Sequence, residues 1–192
     1  MALLHGLLWP FQFWNDHVLR VGRWIGIAAI ALMVVAILVQ VFFRYVLNNP
    51  LAWPEEAARF MMLWMTGLVA PTAYRRGGFV AIDMVSEALP KAAANLLNLS
   101  LLLISLVVLA FAVPIALGEV SGFNAAFKTS SLYYPTADGW EKVPRVWMQY
   151  SIVVGTFLLI IVNIELVLRQ LIEMFGGGDT LRPLMHAETG AE

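Results

Sequence analysis

Four apolar runs, each long enough to cross a bilayer, constrain this chain more than any other feature. They cover Trp24 to Leu47, Ala57 to Tyr74, Ala92 to Leu117 and Val146 to Leu168. A helix needs about 20 apolar residues to cross a hydrocarbon core of roughly 30 Å. In lipid a single helix satisfies its own backbone hydrogen bonds. The runs are continuous rather than alternating, which argues against a β-barrel. The expected fold is an all-α integral membrane protein with four transmembrane helices and short interfacial amphipathic helices, in one membrane domain over residues 1–192. Composition agrees: 60% of residues are hydrophobic and 13% charged, and mean hydropathy is +0.77. A soluble domain must also present faces to water, and this chain has little to present.

The flanks of the runs set the expected orientation. Arg20 and Arg23 precede the first run, Arg75, Arg76 and Lys91 bracket the second connection, and Arg169 and Arg182 follow the last run. The first connection, Asn48 to Pro54, has no Lys or Arg. The positive-inside rule then puts both termini and the second connection in the cytoplasm. Lys128, Lys142 and Arg145 in the third connection weaken the bias without reversing it. Residues 1–20 read as an uncleaved interfacial segment, with Trp9, Phe11, Phe13 and Trp14 at headgroup depth. In the second connection, Ile82, Val85 and Leu89 share one helical face and Asp83 and Glu87 another, which predicts a helix along the interface. The third connection, Gly118 to Pro144, is long and carries Tyr133, Tyr134 and Trp140, as an ordered surface for a partner would. Residues 174–192 follow as a flexible cytoplasmic tail that turns at Gly176-Gly177-Gly178.

Several function classes find no material here. Net charge is −1, so nothing attracts nucleic acid. There are no cysteines for disulfides, thiolate metal sites or nucleophiles. His5, His17 and His186 all lie in the terminal segments, outside the runs that would hold a haem between helices. No catalytic motif and no cofactor or metal motif is present, so neither an enzyme nor a bound cofactor is expected.

Polar residues collect instead at the run boundaries. Pro54 suits a first helical position, and Glu55 and Glu56 would lie at the positive end of that helix. Glu55 and Arg59 are four apart and can pair on one face. This is either a well-capped helix start with one interfacial ion pair, or part of a network in which Arg44, Glu55, Glu56 and Arg59 join the first two helices. Arg59 lies about five residues into its run, which favours the network, because an unpaired Arg in lipid is costly. Glu165 and Arg169 repeat the spacing in the last run, beside Asn163. Glu165 reads as the partner of Arg169 rather than as a proton-relay acid. Gly22 and Gly26 match a weak small-residue pattern for close helix approach. Trp64, at helical spacing from Phe60, reads as packing or lipid contact.

Taken together, Arg44-Tyr45 closing the first run and Trp53-Pro54-Glu55-Glu56 with Arg59 opening the second resemble the small membrane subunit of tripartite ATP-independent periplasmic (TRAP) transporters. Trp64 and Gly67, the Arg75 to Asp83 stretch, and Pro144, Trp147, Tyr150 and Gly155 carry the resemblance on, from about Arg20 to Leu171. Two features depart from the family pattern: Phe79, where a histidine is frequent, and an apparent insertion from Thr136 to Val143. The resemblance implies a non-catalytic subunit of a sodium-coupled secondary transporter for organic acids or related solutes in the bacterial inner membrane. It would pack on and anchor the static scaffold of a large multi-span elevator subunit and help dock a periplasmic substrate-binding protein. Arg44, Tyr45, Trp53, Glu55, Glu56, Arg59, Trp64, Glu165 and Arg169 would be its structural and interface residues. Membrane lipids would be its remaining partners. An autonomous homo-oligomeric transporter or channel is the alternative, and it would need a polar face along one span.

Overall fold

A computed structural model describes residues 2–76, 89–122, 126–136 and 139–177. Four helices and one hairpin follow in chain order: α1 (Ala2–Tyr45), α2 (Trp53–Arg75), α3 (Lys91–Ser121), β1 (Lys128–Thr136), β2 (Gly139–Pro144) and α4 (Val146–Met174). The chain is mostly helical, as expected. Three helices, α1, α3 and α4, are long and apolar enough to cross a membrane, rather than the four expected. The helix that falls short is α2. It forms where the second run predicts it, but Glu55, Glu56, Arg59 and Arg75 dilute its 23 residues.

The N-terminal segment, expected at the interface, is helical. It continues without a break into α1, a helix of 44 residues. At 1.5 Å per residue α1 is about 66 Å long, roughly twice a bilayer core. Pro10 lies inside it and has no N–H to give to the carbonyl of Gly6, one turn back. The helix stops at a left-handed residue, Asn48, whose φ is 50°. Just before it the N–H of Val46 bonds the Phe42 carbonyl at 2.9 Å, and just after it the N–H of Asn49 bonds that of Phe43 at 3.0 Å. The helix expected over residues 79–89 falls almost wholly outside the described residues, as does the tail beyond Gly177.

Helix α2 packs along both α1 and α4, and α4 packs along α3. Small residues make the first two contacts close. On α1, Gly22 and Gly26 lie against Leu68 and Val69 of α2. On the other side of α2, the backbone of Gly67 touches α4 at Ser151 and Gly155; a Cβ on Gly155 would lie 2.9 Å from the Gly67 Cα. The core is thus concentrated on α4, where Met148, Leu158, Val162 and Ile172 are buried. The outer faces of α1 and α3 are bare: in their most apolar stretches only 11% and 6% of residues are buried.

The third connection is shorter than expected, because α3 runs on to Ser121. Much of the remainder is an antiparallel hairpin pairing Tyr133 with Lys142, Tyr134 with Glu141, and Thr136 with Gly139. The register shifts between Lys128 and Tyr133. There the Thr129 hydroxyl is within reach of two carbonyls, Val143 at 2.9 Å and Leu132 at 3.0 Å.

Candidate functional site

Two polar sites lie at opposite ends of α2. The first is centred on Glu165, whose side chain is fully buried. Its Oε1 accepts from the Arg75 guanidinium at 2.7 Å and from Arg169 Nε at 2.9 Å. Its Oε2 accepts from Asn15 Nδ2 at 2.6 Å. Arg75 also donates to Asp16 at 2.6 Å. The junction therefore joins α1, α2 and α4 with two carboxylates and two guanidinium groups, and its formal charge is zero.

Charge balance and saturation of the carboxylate make this burial tolerable. Removing one partner of a buried pair leaves an uncompensated charge and typically costs about 3–5 kcal/mol. Neighbouring contacts extend the junction. Asn163 of α4 donates to the Tyr74 hydroxyl of α2 at 2.5 Å, and Gln170 of α4 lies 3.4 Å from the Asn95 oxygen of α3. Each helix thus has a polar tie to α4 at this end.

The second site is at the start of α2, where its N-terminal amides favour acidic side chains. Here the Glu56 carboxylate accepts the backbone N–H of Ser130 at 2.9 Å and of Ser131 at 2.7 Å. The Ser131 hydroxyl has one proton and two acceptors in reach, Glu56 at 2.6 Å and the Ala52 carbonyl at 3.0 Å. Desolvation pushes the Glu56 pKa up. Hydrogen bonds from the Ser131 hydroxyl and from the backbone of Ser130, Ser131 and Leu132 outweigh it and hold the carboxyl below its ordinary value. The hairpin is secured again at the start of α4, where Tyr134 lies against Trp147 with ring centroids 5.4 Å apart. The Trp147 carbonyl in turn accepts from Trp64 Nε1 of α2 at 3.1 Å.

The residues singled out from sequence divide between these sites. Glu165 and Arg169 pair as expected, but within a larger junction. Of its other members, Arg75 stands out in the sequence only as a boundary charge and the start of the family-like basic stretch, and Asn15 and Asp16 do not stand out. The only hint is that they are polar groups placed where apolar runs begin or end. The four-membered network of Arg44, Glu55, Glu56 and Arg59 is not assembled. Arg59 pairs with Glu55 of its own helix at 2.5 Å, with both side chains more than 60% exposed. Glu56 turns to the hairpin instead. Arg44 lies 5.7 Å from the ring centroid of Tyr45 and makes no ion pair among the described residues. Trp53 and Tyr45 are exposed. Among the described residues, no group of three or more His, Asp or Glu side chains is arranged to hold a metal.

Residues 33–173 fit the family model described as tripartite ATP-independent periplasmic transporters, DctQ component. The chain belongs to the DctQ family. It is 31% identical over 127 residues, 66% of this chain and 67% of the relative, to the sialic acid TRAP transporter small permease protein SiaQ of Vibrio cholerae serotype O1. The chain is thus a TRAP small permease and a multi-pass membrane protein. The DctQ match takes in Arg75, Glu165, Arg169, Glu56 and the hairpin. Asn15 and Asp16, the α1 half of the buried junction, lie before it.

Proposed function

We propose that this small permease is the fixed, non-catalytic subunit of a sodium-coupled transporter in the bacterial inner membrane, with both termini cytoplasmic. It packs on and anchors the static scaffold of a large elevator subunit. Its hairpin and the α2 start, on the periplasmic side, contribute to the surface on which a substrate-binding protein docks. The transported solute is an organic acid or a related solute, in keeping with the sialic acid in the name of the Vibrio cholerae relative. Selection of the solute belongs to the binding protein and the large subunit.

One observation carries this reading. The Glu165 carboxylate is fully engaged by Arg75, Arg169 and Asn15 where α1, α2 and α4 meet, while the outward faces of α1 and α3 stay bare and apolar. A part that moves a solute across the bilayer keeps a polar face along the length of a span. A part that braces another protein keeps its own helices locked and offers apolar surface. Affinity purification of a tagged chain from native membranes in mild detergent tests the reading. A large multi-span protein at equal stoichiometry is expected. Recovery of a homo-oligomer alone, under conditions that preserve other membrane complexes, would sink it.

A further inference from the structure

Beside the buried junction, α1 and α2 enclose a pocket whose lining includes Asn15, Asp16, Arg20, Arg23, Thr72 and Arg75. Three hydrogen-bond donors in that lining are buried and lack a partner among the described residues: Arg23 Nε, Thr72 Oγ1 and Arg75 Nε. Thr72 as a whole is only 7% exposed. Buried polar groups in folded proteins are nearly always paired, so three orphaned donors on residues that line one pocket call for an acceptor. Asp16 and Glu165 engage Arg75 through its two terminal nitrogens, leaving Nε over. Arg20 and Arg23 pair with no carboxylate among the described residues. With Arg20, Arg23, Arg75 and Arg76 in the lining against Asp16, the charge there favours an anionic acceptor.

We propose that this pocket binds a phosphate group, supplied in the membrane by the headgroup of a phospholipid. Position selects the lipid over a free ion. Arg20 and Arg23 directly precede the apolar run of α1, where a headgroup lies, and Val21, Trp24 and Ile25 leave exposed apolar surface for acyl chains. The lining has an acceptor side as well: Asn15 Oδ1 is buried without a partner, and the Asp16 carboxylate lies next to it in sequence. A headgroup carrying a hydrogen-bond donor beside its phosphate, such as a glycerol hydroxyl, satisfies both sides. A choline headgroup satisfies only the phosphate side.

Native mass spectrometry of the full chain tests this. The probes are dioleoylphosphatidylglycerol, dioleoylphosphatidylcholine and inorganic phosphate. Wild type should retain the glycerol lipid best. Arg23→Gln should weaken that retention about tenfold, since it removes a charge-assisted donor. Thr72→Val keeps the side-chain shape and should weaken it about fivefold, so the test survives if the arginine variant folds poorly. Inorganic phosphate binding to wild type but not to the variants, without lipid retention, would overturn the lipid as the source. Equal lipid retention by wild type and both variants would overturn the site itself. So would a carboxylate of the large subunit seated between Arg23 and Thr72 in the assembled complex.

Discussion

Arg75 and Glu165 lie 90 residues apart in the chain and 2.7 Å apart in the fold, and each holds a second charged partner, Asp16 for Arg75 and Arg169 for Glu165. The pair ties the last turn of α2 to the buried face of α4, and Asn15 and Asp16 bring α1 to the same point. Three helices are thereby held at one depth and rotation. Apolar packing alone specifies rotation weakly in helices that are apolar on every side.

Glu165→Gln should destabilise the folded chain by about 3–5 kcal/mol, because the buried Arg169 loses its carboxylate while Arg75 keeps only Asp16. Thermal unfolding in detergent reads this. The double variant Glu165→Gln with Arg75→Met should lose less than the sum of the single losses, since the two groups share one interaction. Additive losses would show that the pair is not energetically coupled.

Glu56→Gln should free the hairpin from α2 while leaving the helices intact. Two backbone N–H groups and one hydroxyl would lose their charged acceptor, at about 1.5–3 kcal/mol for hydrogen bonds to a charged group. Amide exchange at Ser130 and Ser131 should accelerate, and exchange in α4 should not.

The same carboxylate makes hairpin docking pH-dependent. Its pKa is lowered in the folded chain, where the hydrogen bonds favour the ionised form. The unfolded chain therefore binds a proton at higher pH than the folded one. Docking is fully present above the ordinary glutamate value of about 4.3, and is lost as pH falls through the lower folded value. The amide proton shifts of Ser130 and Ser131 should follow that loss on acidification and should be flat through neutral pH. A transition centred above the ordinary value would contradict the sign.

How far the sequence could be read follows from what each interaction depends on. Apolar run length depends on nothing outside the run, so α1, α3 and α4 could be placed from it. The i,i+4 pairs Glu55–Arg59 and Glu165–Arg169 are fixed by helical spacing alone, and both form. The failures lie where tertiary context decides. Residues 1–20 and the first apolar run read as two segments, yet one helix covers both, with Pro10 inside it. The carboxylate of Glu56 has a helical neighbour available but bonds β1, 74 residues away. Asn15, Asp16 and Arg75 are ordinary boundary residues until packing brings them to Glu165. The hairpin had a local signal, Asp138-Gly139 between short runs of β-forming residues, that helix-scale periodicity does not register.

Gly67 should tolerate almost no side chain. A Cβ there would collide with the Ser151 carbonyl of α4, which belongs to a helix backbone and cannot turn aside. Gly67→Ala should cost about 1–3 kcal/mol, the usual penalty for overpacking, and Gly67→Val more. Gly6, with open space around its Cβ position, is the control and should accept alanine without loss.

Arg59→Ala separates a bracing role from a merely local one. Its partner Glu55 is on the same helix and both side chains are largely exposed, so the isolated chain should lose no more than about 0.5 kcal/mol. If this end of α2 braces the large subunit or receives the binding protein, the assembled transporter should lose stability or transport rate with substrate preference unchanged. A paired measurement decides: thermal stability of the purified chain, and uptake by the reconstituted complex. Loss in the complex without loss in the chain would mark Arg59 as an interface residue. Equal behaviour in both would leave Glu55 and Arg59 as a surface ion pair and move the docking surface to the exposed hairpin residues Tyr133 and Trp140.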